Sequence, residues 1–209
     1  PPRSGFPWVG HGCSWVFSMC SSSVKPTHGE VITATKRWLE RVVIGLNLCP
    51  FAKTVHAKRQ VRYAVSSAQT SDAVLDDLER ELRTLVAAKP ESVDTTLLIL
   101  PYALTKFDDF ADFLDLVEIA LKVQGLTGVI QVASFHPQYR FADAEAEDMS
   151  NFTNRSPYPV LHLLREESLA RAIQAFPDTA AIYEQNMATL RTLGLTGWLA
   201  LGLDATDVP

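Results

Sequence analysis

Apolar residues recur along the chain in two rhythms, one near 3.6 and one near 2. Trp38, Leu39, Val42, Val43 and Leu46 share one face at helical spacing. They predict a helix over residues 31–46, with Thr33 or Thr35 as its N-cap and Pro50 as its stop. NLCPFAK, residues 47–53, then reads as a compact turn carrying one thiol. Residues 61–66 (VRYAVS) alternate apolar and polar and predict a short strand. Ser71 is placed to cap a helix whose apolar stripe is Leu75, Leu78, Leu82 and Leu85. The run TTLLIL, residues 95–100, is β-branched and apolar throughout, as a buried central strand requires. Thr105, in a box-like arrangement with Asp108, predicts the start of a helix with Phe107, Phe110, Phe113, Leu114, Val117 and Leu121 on its core face. Gly125 is placed to end it. VIQVASF, residues 129–135, is the third strand.

Residues 160–164 (VLHLL) fit two forms. Ser156 as N-cap and Pro157 at the first helical position favour a helix, which is the expected form. A fourth strand is the alternative, with Glu167 or Ser168 opening a new helix. Leu169, Ile173 and Phe176 continue a helical face to Pro177. Asp178 or Thr179 is placed to cap a last helix through Tyr183, Met187 and Leu190, stopped by Gly194.

Strands separated by helices of this length imply parallel crossovers. The expected fold is therefore a single α/β domain over residues 31–200. It has a β-α-β-α-β core, a three- to four-stranded mostly parallel sheet and about five flanking helices. Residues 1–30 would form a disordered or targeting leader, and residues 201–209 a tail. The long polar segment after the third strand, residues 136–159, is expected at a carboxyl edge of the sheet, where open α/β sheets bind ligands.

Composition narrows the classes. With 209 residues, 47% of them hydrophobic, the chain is long enough for one real core. A net charge of -5 excludes a general nucleic-acid binder, whose domain would be basic, but leaves a small anionic ligand open. No apolar run approaches the roughly 20 residues a membrane-crossing helix needs. Cys13, Cys20 and Cys49 make an odd count without a CxxC pair, which points to a reducing compartment. No Asp or Glu precedes Glu30 and serine is abundant there, so the leader resembles an organelle transit peptide. The expected location is the cytoplasm, or a mitochondrion or plastid if that leader is such a peptide.

Four words, GLNLCPFAK, QVASFHPQYRF, TNRSPYPVLHLLRE and NMATLRTLG-x-x-GW, resemble the mainly bacterial domain-of-unknown-function family 1415 over about residues 35–200. The resemblance implies identity and brings no activity, cofactor or catalytic residue with it.

Candidate chemistry gathers in residues 133–166. His136 follows the third strand and precedes Pro137, and an imidazole there could transfer protons near neutral pH. Arg155, with Asn154 and Ser156 beside it, could fork a carboxylate or phosphate. His162 and Arg165 would share one face of a helix and would part on a strand. Cys49 is a candidate nucleophile if its pKa is lowered. Tyr139 and Tyr158 would wall a pocket. Catalytic roles are thus expected of His136, His162 and Cys49, and substrate binding of Arg155, Arg165, Asn154, Ser156, Tyr139 and Tyr158. The function expected is an enzyme acting on a small anionic substrate by histidine acid/base chemistry. The alternative is a non-catalytic small-ligand or metal-binding module with Cys49, His136 and His162 as ligands, although HxxxH and CxxC spacings are absent. No metal is assigned, and the cofactor is left unknown. No G-x-S-x-G, P-loop or G-x-G-x-x-G pattern occurs.

Overall fold

The computed structural model describes residues 25–175 and 179–203. In chain order these form α1 (His28–Trp38), a π-helical turn (Leu39–Ile44), α2 (Ala52–Ala57), β1 (Val61–Val65), α3 (Ser71–Ala87), β2 (Thr95–Ile99) and α4 (Phe107–Val123). β3 (Ile130–Phe135), a 3-10 helix (Met149–Asn154), β4 (Val160–Arg165), α5 (Glu166–Ala175) and α6 (Thr179–Ala200) follow. The first 24 residues with Cys13 and Cys20, residues 176–178 where the last helix is expected to be capped, and residues 204–209 lie outside the described residues.

The four strands lie in the order β1-β2-β4-β3. β1 and β2 pair in parallel, whereas β4 runs antiparallel to both of its neighbours. The α/β class holds, but the expected mostly parallel sheet is a mixed one, and the expected helix over residues 160–164 is the strand β4. The physical reason lies in the connection. Residues 136–159 hold one 3-10 helix and no long helix to carry the chain back across the sheet. The chain therefore re-enters from the end at which β3 left, and only an antiparallel strand satisfies that path. The helix α4 links β2 to β3 with a gap one strand wide, and β4 fills it.

A strand in that position has one face in the core and an apolar cavity or α1 over the other, so it reads as a nearly continuous apolar run without the alternation that would have identified it. Leu161 and Leu163 point to the face covered by α3 and α4. There they join Leu98, Val74, Leu78, Leu82, Leu85, Phe110, Phe113 and Val117 in the main core. Val160 points the other way and meets Val31 of α1, Leu97 and Ile99. A third cluster, built on Trp38, Val42, Leu48, Phe152, Leu190 and Trp198, joins α1 and the π-turn to α6 and the 3-10 helix.

Helix starts differ from expectation by a few residues. α1 is capped by Thr27 in a box with Glu30, about two turns earlier than Thr33 or Thr35. The hydroxyls of those two threonines donate back to the Gly29 and Val31 carbonyls at 2.8 Å. α3 is capped by Thr70 rather than Ser71. The N-cap of α4 is Lys106, which puts Asp108 at the second helical position, one short of what a box with Thr105 needs. Gly125 does close α4, with φ 69°. Gly194, with φ 61°, interrupts α6, and Trp198 beyond it packs on Phe152 with ring centroids 4.9 Å apart.

The π-turn depends on Gly45. Its N–H donates to the Glu40 carbonyl five residues back at 2.9 Å, and a Cβ at Gly45 would lie 2.3 Å from the Arg41 carbonyl oxygen. That neighbour is backbone and cannot rotate away. Gly45→Ala is expected to cost about 1–3 kcal/mol, the range of an overpacked interior. A urea titration reads this, and a midpoint equal to the parent's would show that the π-turn can relax.

Candidate functional site

One face of the sheet is closed by α3 and α4. On the other, α1 covers the end where β4 begins, and the rest of that face floors a cavity of about 630 Å³. Val61, Thr95, Leu97, Leu164, Ala133 and Phe135 surround His162 on the floor. The walls are Leu39 of the π-turn, the Cys49-Pro50-Phe51 turn with α2, and Ser168, Leu169 and Ala172 of α5. Strand alternation explains the floor. Leu97, His162 and Ala133 are cross-strand partners in one row, so their side chains share a face, and Ala133 is small enough to leave space beside the imidazole.

His162 is held by a two-step relay. The Thr95 hydroxyl lies 2.7 Å from the Leu163 carbonyl and 2.7 Å from His162 Nε2. A carbonyl can only accept, so the single hydroxyl proton goes to Leu163, and Thr95 Oγ1 must accept from Nε2–H. Nδ1 is left as the unprotonated nitrogen, and it receives no hydrogen bond among the described residues. Burial pushes the His162 pKa down to about 4, so the imidazole is neutral near pH 7. Phe135 packs at 6.2 Å, centroid to centroid, and in turn meets Trp38 edge-on at 5.3 Å.

Cys49 lines the same cavity. Burial raises its thiol pKa, against smaller opposing effects of the Phe51 and Ala52 backbone N–H groups. Arg165 also reaches the cavity, but its Nη2 is committed to the Leu85, Ala88 and Val93 carbonyls, where the cation complements the carboxyl end of α3. Its Nε is enclosed by protein and meets no acceptor among the described residues. Arg171 at the rim bonds Glu167 and Ser168, and Ser168 donates to Asp94.

The other expected site residues sit elsewhere. His136 is fully buried on the α4 side of the sheet, between Phe107 and Phe110. Its Nδ1 accepts from Gln138 N–H at 3.0 Å, so Nε2 carries the proton and donates to the Leu104 carbonyl at 3.1 Å. Both nitrogens are used to hold a turn in which Leu104 has the left-handed φ of 54°. Burial lowers the His136 pKa. Arg155 stacks on Phe152 with its guanidinium carbon 3.9 Å from the ring centroid, and Nη2 donates to the Ala146 carbonyl at 3.1 Å. Burial lowers its pKa. Asn154 donates to the Ser134 carbonyl at 3.1 Å and Ser156 to the Tyr158 carbonyl at 2.6 Å. Tyr139 stacks with Phe107 and Phe141, and Tyr158 packs near Val160. These residues knit residues 136–159 together; none of them lines the cavity.

The structure thus brings Cys49, His162 and Arg165 together and leaves His136 and Arg155 outside. Among the described residues no group of three or more His, Cys, Asp or Glu is arranged to hold a metal. A smaller hollow of about 410 Å³ lies between the starts of α3 and α4, lined by Thr70, Leu104, Asp109 and Asp112 and by none of the expected site residues. Among the described residues no helix is long and apolar enough to cross a membrane.

Two residues that shape the cavity escaped sequence reading. Thr95 sets the tautomer of His162, and Ala133 makes the space, yet both roles need the antiparallel register of β4. Asn151 is also informative. It is fully buried, accepts from Phe141 N–H at 3.0 Å, and donates to the Glu145 and Ala146 carbonyls, making it the inner anchor of the loop.

The family model described as a protein of unknown function, DUF1415, matches residues 30–200. The chain belongs to the DUF1415 family. No curated protein and no solved structure matches it. In this DUF1415 chain, three of the four words that carry the family resemblance meet at the cavity. They supply Cys49 and Phe51, Ala133 and Phe135, and His162 and Arg165.

The neutral His162 makes stability depend on pH. Unfolded, the imidazole protonates near 6.5, whereas folded it does so near 4. Between these values the unfolded chain binds more protons, so stability present above pH 6.5 is lost as pH falls. Roughly 3 kcal/mol is expected to disappear between pH 7.5 and 4 on account of His162, and His136 adds in the same direction. Urea titrations across this range should show a shallower fall in His162→Gln. Parallel curves for parent and variant would remove His162 from the account.

Proposed function

We propose that this DUF1415 chain binds a small, largely apolar molecule on the uncovered face of its sheet, with His162 at the centre of the site. The observation that carries the reading is the cavity itself. It is concave, mostly apolar, bounded by four different elements, and has a few convergent polar groups in its floor, which is the usual form of a small-molecule site.

The guanidinium groups of the lining are engaged by backbone carbonyls, Glu167 and Ser168, and its remaining cation, Lys58, is matched in charge by Glu91 and Asp94, so a neutral ligand suits it better than an anion. Histidine acid/base catalysis is the second reading, and one observation favours it: Cys49 and His162 line the same cavity. In that form the thiol would add to a carbonyl carbon of the bound molecule, whose C=O π electrons pass to its oxygen, and His162 would take the thiol proton and return it to that oxygen. The raised thiol pKa and the weakly basic imidazole make binding the stronger of the two.

1-Naphthol is an apolar probe of suitable size. Ligand-observed NMR is expected to show binding to the parent chain and a loss of at least about tenfold in Ala133→Phe, since forcing a ring into a filled site costs on the order of 1–3 kcal/mol. Circular dichroism confirms that the variant is folded. Equal affinity in a folded Ala133→Phe would place the binding elsewhere and end this reading.

A further inference from the structure

We infer that the cavity selects molecules that present a hydrogen-bond donor, a hydroxyl on an apolar body, because the Thr95–His162 relay makes His162 Nδ1 an obligate acceptor. This rests on the binding reading above and names the ligand class that the same site takes.

The argument follows the protons. Leu163 offers a carbonyl oxygen that only accepts, so the Thr95 hydroxyl spends its one proton there, at 2.7 Å. The Thr95 oxygen then accepts from His162 Nε2–H, also at 2.7 Å. Thr95 is itself only 7% exposed, so no competing water shell loosens this chain. The neutral imidazole has one proton, and Nε2 holds it. Nδ1 meets the ligand as a bare lone pair, and its neighbours on the floor, Leu97, Ala133 and Phe135, carry no polar side-chain atom. Protonation would let Nδ1 donate instead, but burial keeps the imidazole neutral above the acid range.

An acceptor in such a surround discriminates in one direction. A hydroxyl satisfies it. An ether of the same shape leaves it without a partner, and a carboxylate sets two acceptors against each other, which beside the apolar floor costs more than the missing bond. The cations of the lining do not offset this, since Arg165 Nη2 and Arg171 already bond protein oxygens and the exposed Lys58 shares the lining with Glu91. Asp94 is likewise held by Ser168.

Three probes with one ring system separate the possibilities: 1-naphthol, 1-methoxynaphthalene and 1-naphthoate. By ligand-observed NMR the parent chain is expected to bind 1-naphthol about tenfold more tightly than the ether, as one ordinary hydrogen bond allows, and more tightly than the carboxylate. Thr95→Val removes the group that fixes Nε2–H. In that variant the preference for naphthol over the ether is expected to shrink towards parity while the affinity for the ether holds. Thr95→Ser keeps the hydroxyl and should keep the preference. Nitrogen-15 NMR of the parent should find Nδ1 of His162 in the unprotonated state and Nε2 protonated. If the ether or the carboxylate binds the parent as well as naphthol, or if Thr95→Val discriminates as the parent does, the donor selectivity is wrong although the cavity binds. If none of the three binds, the binding reading falls and takes the selectivity with it.

Discussion

Both edges of β4 are paired, and from that requirement most of the molecule follows. A strand laid into the gap between β2 and β3 gives its N–H and C=O groups to two neighbours at once, which leaves no ladder position open to water. The same placement buries one of its faces and the start of the other. Leu161 and Leu163 complete the core under α3 and α4, while Val160 closes the far side against α1. His162 is the one polar side chain that the alternation turns toward the second face. A polar group in that position needs a partner, and Thr95, on the neighbouring strand, supplies it. The imidazole is therefore positioned by backbone pairing, and its chemistry by one hydroxyl.

The uncovered part of that second face has an equally simple origin. α1 ends at Trp38 and gives way to the π-turn, whose Leu39 already lines the cavity. The turn at residues 49–51, the short α2 and α5, which follows β4 directly, line the cavity together with the strands. Trp38 and Phe135 wall the boundary between the packed half and the open half. Asn186 ties α6 to the Leu48 carbonyl at 2.8 Å, and Arg191 bonds Asp148 at 3.1 Å. These contacts hold the wall and the loop in place from outside.

What the sequence could reveal follows from where the information lies. The stripes of α3 and α4 and the apolar run of β2 are local patterns, and their periods gave the elements directly. Residues 160–164 carry no clear period, because both faces of β4 meet apolar surroundings, and Ser156-Pro157 imitates a helix start although Ser156 donates to the Tyr158 carbonyl. With β4 read as a helix, the mixed sheet was out of reach, and with it the Thr95–His162 pair. Clustering in the text misled for a related reason. His136 and Arg155 stand among polar residues, which suggests a site, but a long loop pressed against a core needs the same residues to satisfy its own carbonyls, and here it uses them so. Cys49 and His162 looked less conspicuous, one in a bend and one among leucines, and they are the pair that shares a cavity.

The two buried histidines show how little burial says by itself. Each has its pKa lowered by loss of water, and each is neutral near pH 7. His136 has a donor on one nitrogen and an acceptor for the other, so its ring is closed to anything further. It acts as a rivet between the end of β3 and the turn at Leu104. His162 has the first partner and lacks the second, and the missing one faces a space instead of a backbone group. A neutral imidazole satisfied at one nitrogen costs the fold less than a charged one and more than an apolar residue would. Leucine at this position would pack against Leu97 and Phe135 without leaving a polar atom unmatched. That an imidazole occupies it, with Thr95 oriented to fix its proton and Ala133 leaving room beside it, is the physical reason for regarding the open nitrogen as a contact surface for a second molecule.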